Sequence, residues 1–264
     1  MNITMIQVPV TPSAEQNILY LQSMTDACKN SDIVVLPEMW NAPYDNEAMK
    51  KAADSQEKCM EAMRCFSKQT HTWLVGGSIP YKQGSSYYNM CLIYNDGQLI
   101  SSYAKMHLME FHGRSDYQEK DLFRAGSRLC LFDTPWGKMG VIICYDIRFP
   151  EEARLLAMNG AKIIFAPAAF NEKVGKAHWQ PLFQTRAMEN QVFMVGVNPS
   201  NYTYGNYTAY GHSIITDPYG YVLCQMDEKP GSLSAEIDLH RIDVIRKRMP
   251  LWQIRRDDVY HLDD

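Results

Sequence analysis

The chain has 264 residues, 46% of them apolar and 21% charged, which is enough to bury a sizeable core and excludes global disorder. Its 26 Lys and Arg against 30 Asp and Glu leave a net charge of −4, so there is no electrostatic footprint for nucleic acid or an anionic membrane. No apolar run approaches the roughly 20 residues that cross a bilayer. The opening MNITMIQVPV lacks the basic start and long apolar centre of a signal peptide, and residues 3–8 read as a strand. A helix is expected from Ser13 or Glu15 to about Cys28, with Ile18, Leu21, Met24 and Ala27 at helical spacing. Residues 33–36 are a short β-branched run typical of a buried parallel strand, and they run into Pro37–Glu38–Met39–Trp40. A carboxylate there stands out, because burying it unpaired is costly and ligands of open α/β sheets gather at the carboxyl ends of strands. Taken alone, Glu38 is more simply a rim residue paired with a surface base.

A second helix over about 55–70 leads to a strand over 73–79, WLVGGSI, in which Gly76 and Gly77 signal a close backbone approach. Residues 88–94 and 98–103 flank Asn95–Asp96–Gly97 as a hairpin. Its second arm runs into Ala104–Lys105–Met106–His107–Leu108, and alone Lys105 reads as a snorkelling lysine. The polar stretch 109–126, with Glu110, His112, Arg114, Asp116, Glu119 and Lys120, reads as a long ordered loop of the kind that lines a site.

A further hairpin, 129–134 and 138–144 around Pro135–Trp136–Gly137, ends at Cys144. Pro150 then opens a helix, with Glu151 and Glu152 at the positive end of its dipole, an apolar face of Leu155, Leu156 and Met158, and a stop at Gly160. Cys144 is therefore expected at the tip of a buried strand near a helix N-terminus, a placement that can depress a thiol pKa. For any single cysteine an inert buried thiol is the simpler reading. A buried strand over 163–167 and a loop over 168–175 precede an amphipathic helix over 178–190, with Leu182, Phe183, Thr185, Ala187 and Met188 turned inward or packed. A strand over 192–197, a Tyr/Asn-rich loop over 198–210, a hairpin of 211–216 with 221–226, and a last strand over 233–237 complete the sheet-forming segments. Residues 238–264, a short helix and a tail rich in Arg, Asp and aromatics, read as a C-terminal packing arm of one domain spanning 1–264.

Glu38, Lys105 and Cys144 thus each end a strand, and their types suit acyl transfer. A thiol needs a base to become a nucleophile, and a carboxylate in a poorly solvated pocket can be that base. An ammonium, with a backbone N–H such as that of Tyr145, can stabilise the oxyanion that forms. None of the seven histidines has a diagnostic pairing with Cys144, there is no G-x-S-x-G elbow, no Gly-rich phosphate loop follows the first strand, and HLME lacks HExxH spacing. The seven cysteines are odd in number and contain no CxxC pair, so no disulfide framework and no metal site are expected, and a cytoplasmic setting is natural. No organic cofactor is expected either.

The segments IVVLPEMW around Glu38, YAKMHL around Lys105 and GVIICYDIRFPE around Cys144 occur in that order. With them the chain resembles the nitrilase superfamily of carbon–nitrogen hydrolases over nearly its whole length. YQEK with Glu119, AFNEKVGKAHW, TRAMENQVFMVGVN, GHSIITDPYG and the ending IDLHRIDVIRKRMPLWQIRRDDVY add to the resemblance. It implies a four-layer α-β-β-α sandwich, a Glu38–Lys105–Cys144 triad, Glu119 orienting Lys105 and the substrate amide, a small-molecule amide substrate and a homodimer or higher homo-oligomer. Cys144–Tyr145–Asp146 departs from the Cys-Trp-Glu of true nitrilases and looks like an amidase branch. CYDIRFPE with AFN…G.AHW and the C-terminal pattern is most similar to ω-amidases, which hydrolyse the side-chain amides of 2-oxoglutaramate and 2-oxosuccinamate. Deaminated-glutathione amidases are also close, YQEK is similar to N-carbamoyl-amine amidohydrolases, and a non-catalytic binding protein on the same scaffold is the alternative from another class. Arg148 and Arg114 are candidate partners for a substrate carboxylate, although a structural ion pair of Arg148 with Glu151 or Glu152 fits equally well. Tyr145 and Phe170 are expected to wall the pocket.

Overall fold

The structure is a computed structural model that describes residues 1–112 and 116–262. The first half of the chain builds one sheet and the helices on its outer face: β1 (Asn2–Gln7), α1 (Ala14–Ser23), α2 (Thr25–Cys28), β2 (Ile33–Val35), α3 (Asn46–Ala52), α4 (Gln56–Thr70), β3 (Trp73–Val75), β4 (Ile79–Gln83), β5 (Ser86–Asn95) and β6 (Gln98–Ala104). Two short strands, β7 (Glu110–Phe111) and β8 (Tyr117–Gln118), lie in the following loop. The second half supplies β9 (Cys130–Thr134), β10 (Gly137–Val141), α5 (Pro150–Met158), β11 (Ile163–Pro167), α6 (Glu172–Asn190), β12 (Phe193–Val197), the short pair β13 (Thr203–Tyr204) and β14 (Tyr207–Thr208), β15 (Ile214–Thr216), β16 (Val222–Gln225), β17 (Gly231–Glu236) and α7 (His240–Arg248).

Period-two alternation decides the layers. In the first sheet, ordered β17-β1-β2-β3-β5-β4 with β6 on β5, Ile3, Met5, Ile33, Val35, Val75 and Ile93 share a core with Phe132, Met139, Val141, Phe165 and Val195 of the second sheet. Their neighbours on the opposite face, Val34, Leu36, Leu74 and Leu92, pack with Leu21, Cys59, Met63 and Phe66 of α1 and α4. The second sheet, ordered β16-β15-β12-β11-β10-β9, carries α5 and α6 on its outer side, where Leu156 lies over Gly140 and Phe183 over Gly196. The result is the expected α-β-β-α sandwich. Strands β2, β10, β11 and β12 are parallel to a neighbour, so several carboxyl ends meet along one edge.

Several boundaries differ from those expected, each for a local reason. The helix read to Cys28 is divided at Met24, which caps α1 with its N–H on the Leu21 and Gln22 carbonyls. A helix not anticipated, α3, starts where the Asp45 side chain accepts from Ala48 N. The strand read over 73–79 breaks at Gly76–Gly77: Gly77 has φ +60°, and a Cβ there would lie 2.0 Å from the Pro37 carbonyl oxygen. The close approach read from the two glycines is thus the contact that holds the end of β2, and with it Glu38, against β3.

Helix α6 begins at Glu172 rather than 178. Asn171 caps it by accepting from Val174 N, and Gly175, which looked like a loop residue, is helical because the Tyr210 ring occupies the space of its side chain, 2.3 Å from a Cβ. Met158 and Met188, expected to pack inward, are 39% and 45% exposed on α5 and α6. In the C-terminal segment Trp252 lies between the guanidinium groups of Arg154 and Arg246, at 5.1 and 5.3 Å from its ring centre.

Candidate active site

Three chain segments leave the edge of the sandwich side by side. Leu36–Pro37–Glu38 continues β2, and Glu38 N–H donates to the Ala168 carbonyl just past β11, 3.3 Å away in the other sheet. Lys105 follows β6, held by its own N–H on the Asn89 carbonyl and by Gly126 N–H on its carbonyl. Strand β10 stops at Val141, three residues short of the end expected for it, and Cys144 opens a tight 3-10 turn, Cys144–Arg148. Cys144 has φ +48°, a left-handed backbone that a non-glycine residue adopts only where its surroundings impose it.

The polar groups converge in a dry interior. Glu38, Lys105 and Glu119 are fully buried and Cys144 is buried. Lys105 Nζ lies 2.9 Å from Glu38 Oε1 and 3.0 and 2.9 Å from the two oxygens of Glu119. Glu119 Oε1 also accepts from Tyr44 OH at 2.6 Å, and Oε2 from Met109 N–H. Glu38 Oε1 accepts from Asn89 Nδ2 at 2.7 Å, whereas among the described residues Oε2 meets no nitrogen or oxygen donor and the carboxyl faces the Cys144 thiol. Tyr44 and the Met109 backbone thus clamp the second glutamate from two sides.

Two carboxylates around one ammonium carry a net charge of −1, and this decides the proton affinities. Burial alone would push Lys105 down, but Glu119 and Glu38 together outweigh it and hold the ammonium well above its ordinary value. Burial raises Glu38, with Lys105 pulling the other way and Glu119 adding to the rise. Burial also pushes the Cys144 thiol well up, reinforced by Glu38 and only partly offset by Lys105 and the Ala169 backbone. The depressed thiol pKa expected from a nearby helix N-terminus is not found, because burial of the sulfur raises it and Glu38 adds to the rise. Burial thus raises the proton affinity of the Cys144 thiol and of the neighbouring Glu38 alike.

A family model described as carbon–nitrogen hydrolase matches residues 2–247. The chain belongs to the carbon–nitrogen hydrolase family. It is 34% identical over 268 residues to Omega-amidase NIT2-A of Xenopus laevis, covering 99% of this chain and 97% of that protein. It is 34% identical to the chloroplastic omega-amidase of Arabidopsis thaliana over 274 residues, covering 100% of this chain and 74% of the relative. Among solved structures, the NitFhit protein of C. elegans superposes with a TM-score of 0.94 at 30% identity; the match covers 99% of this hydrolase but 66% of that longer chain. Saccharomyces cerevisiae Nit3, described as a member of branch 10 of the nitrilase superfamily, gives 0.88 at 31% identity over 97% and 96% of the two chains. The resemblance read from three short motifs therefore holds over the full chain.

The hydrolase keeps Arg148 clear of the acids expected to pair with it. Its guanidinium lies over the rings of Tyr145 and Phe170, 5.6 and 5.3 Å from their centres, and Nη1 donates to His178 Nδ1 at 3.2 Å. Arginine has only donors, so His178 Nδ1 is the acceptor and carries no proton. Among the described residues no carboxylate pairs with Arg148, and Glu152 is engaged elsewhere. Phe170 is buried edge-on against Trp179, whereas Tyr145 is half-buried. Arg114, the other candidate, lies outside the described residues.

The sequence did not point to the residues that hold this constellation. Tyr44 and Asn89 each fix a glutamate, and Asp146 ties the cysteine turn to the lysine segment. Asp146 is fully buried and accepts from Ile143 N–H, His107 N–H, His107 Nδ1 and Tyr103 OH. Glu152 accepts from the same Tyr103 hydroxyl and faces His107 Nδ1 at 3.3 Å. His107, Asp146 and Glu152 bring one ligand atom each within 4.8 Å of one another, a set that could hold a divalent cation. An imidazolium serves the same acceptors: its hydrogen bonds to Asp146 and Glu152 push His107 up to about 9, so its charge offsets one of the two carboxylates.

Proposed function

We propose that the chain is an ω-amidase-like amidase in which Cys144 is the nucleophile, Glu38 the general base and acid, Lys105 the oxyanion partner, and Glu119 the group that orients Lys105 and the substrate amide. The observation that carries the reading is the buried Lys105 ammonium, held at 2.9–3.0 Å between two buried carboxylates beside a strained, buried thiol. Such a group is costly to assemble and serves no packing need.

In the first half-reaction Cys144 Sγ attacks the amide carbon while Glu38 takes the thiol proton. The carbonyl electron pair moves onto oxygen, opposite Lys105 and the Tyr145 N–H. Collapse restores the carbonyl and breaks the C–N bond, Glu38 returns its proton to the nitrogen, and ammonia leaves a thioester behind. Water then gives a proton to Glu38 and attacks the thioester. Collapse breaks the C–S bond, the sulfur recovers its proton from Glu38, and the acid product ionises.

The substrate is a short amide with a distal carboxylate, such as 2-oxoglutaramate. Lys105 is committed to the amide oxygen, so the carboxylate needs a second cation, and Arg148, stacked on Tyr145 and Phe170 with no acidic partner among the described residues, supplies it; Arg114 is the second candidate. A guanidinium holds a carboxylate through two parallel hydrogen bonds. Ammonia release should be faster from succinamate than from butyramide at equal concentration. Arg148→Met should raise KM for succinamate by about a hundredfold, the loss of two charge-assisted hydrogen bonds, and leave KM for butyramide nearly unchanged. Equal kcat/KM for the two amides in the wild type would sink the carboxylate assignment and shift the weight to a neutral amide or an N-carbamoyl amine.

The working form is a homodimer, for which the exposed Met158 and Met188 on α5 and α6 supply apolar surface. Light scattering behind gel filtration should give twice the 30.4 kDa of one chain; the mass of a monomer would refute it. All seven cysteines are free, the state that a reducing cytoplasm maintains.

A further inference from the structure

The nucleophile and the oxyanion partner come from different sheets. Cys144 follows β10 and Lys105 follows β6, and neither strand fixes the distance between them. The bond that spans the gap is made by Asp146. Its Oδ2 accepts from Ile143 N–H, the amide immediately before Cys144, at 2.8 Å. Its Oδ1 accepts from His107 N–H, two residues past Lys105, at 2.8 Å. One carboxylate therefore links the backbone just ahead of the sulfur to the backbone just behind the ammonium.

The remaining partners stiffen this link. The Tyr103 hydroxyl, on β6, lies 2.7 Å from both Asp146 and Glu152, and its one hydrogen is shared between them. The His107 ring donates to Asp146 at 2.9 Å and is stacked on Phe149, with centroids 3.7 Å apart and planes 10° from parallel. The titratable groups facing the carboxylate are thus Tyr103 from β6, His107 from the segment after it, and Glu152 from α5. Asp146 makes no hydrogen bond to Glu38, Lys105 or Cys144, although its charge is felt at Lys105, and none of its bonds is needed to pair strands.

We infer that Asp146 is a positioning residue: through Ile143 N–H and His107 N–H it sets the separation of Cys144 and Lys105, with the His107 ring as its brace. A strut of this kind acts on the geometry of the attack, so its loss lowers kcat and leaves substrate affinity largely alone.

Asp146→Asn tests it, because the amide keeps the shape but turns an NH2 toward one of the two N–H pairs. With concentrations corrected for folded protein, kcat should fall by at least about 30-fold, since a misplacement of about 1 Å can cost 100-fold. KM should stay within about threefold, and alkylation of Cys144 by iodoacetamide should slow in parallel with kcat. Tyr103→Phe leaves both backbone bonds of Asp146 in place; it should lower Tm but keep kcat within about threefold, which separates positioning from general support. If Asp146→Asn does not fold, His107→Ala serves instead. That variant should lose about tenfold in kcat, and His107→Asn, whose Nδ2 can stand where Nδ1 stood, should recover most of it. A kcat and an alkylation rate within about twofold of wild type in Asp146→Asn, or in His107→Ala where the first does not fold, would overturn the inference, as would a loss of kcat in Tyr103→Phe equal to that in Asp146→Asn.

Discussion

Replacing Cys144 by alanine should remove ammonia release to the background of the assay while leaving the circular dichroism spectrum unchanged and Tm within a few degrees. The substitution deletes one sulfur, and alanine can hold the left-handed backbone at φ +48° no worse than cysteine, since both carry the same Cβ. The lost burial is of the order of 1 kcal/mol, small against the stability of a domain this size. The chemistry has no substitute: no other thiol lies beside Glu38, and without a covalent intermediate the difficult step is no longer divided in two. In the wild type, iodoacetamide should label Cys144 fastest of the seven thiols, and labelling should depend on Glu38 because the sulfur is protonated at rest. The acid limb of kcat/KM follows from the same pair. Glu38 must be ionised to act, and burial raises its proton affinity, so activity should fall as pH drops through a value above the ordinary carboxylate range. Turnover within tenfold of wild type in Cys144→Ala, or an acid limb at or below pH 4.5, would remove the sulfur or Glu38 from the mechanism.

The second large effect concerns Lys105→Ala, and here activity and stability should fall together. Losing one oxyanion donor costs about 100-fold or more in kcat. The same change strands two fully buried carboxylates, Glu38 and Glu119, around a hole where their counter-ion stood. Breaking a buried pair by removing one partner typically costs about 3–5 kcal/mol, and two acids share this cation. In the variant Glu38, whose proton affinity burial already raises, should bind a proton more tightly folded than unfolded. Groups with raised folded pKa values stabilise at low pH and lose that contribution as pH rises through the folded value. The destabilisation measured by urea unfolding should therefore be larger at pH 8 than at pH 5, and Lys105→Ala combined with Glu119→Gln should be more stable than Lys105→Ala alone at pH 8. A single variant as stable as wild type at pH 8, or active to within a few-fold, contradicts the assignment.

The three strand ends were legible because the signal is local. A β-branched run before Glu38, a hairpin arm before Lys105 and an apolar run before Cys144 each declare a buried strand within a few residues. The supports were not legible, because their partners are remote in the chain: Tyr44 reaches Glu119 across 75 positions, Asn89 reaches Glu38 across 51, and Tyr103 reaches Asp146 across 43. The direction of the Cys144 pKa was misjudged for a related reason. A helix start is visible in sequence, but how far a sulfur is withdrawn from water depends on the whole fold, and at this site desolvation is the larger effect. Gly175 misled in the same way, since the Tyr210 ring that excludes a side chain there comes from a loop 35 positions on.

The hydrogen bond from Glu38 N–H to the Ala168 carbonyl has a consequence for how a newly made chain becomes reactive. It joins the two sheets at the base of the site: Glu38 belongs to one, Cys144 to the other. The first sheet is itself completed only when β17 returns to pair with β1 along Asn2–Gln7. If Glu38 serves Cys144 as proposed, neither half of the chain alone holds the pair, so a chain whose two sheets are misdocked should be inert.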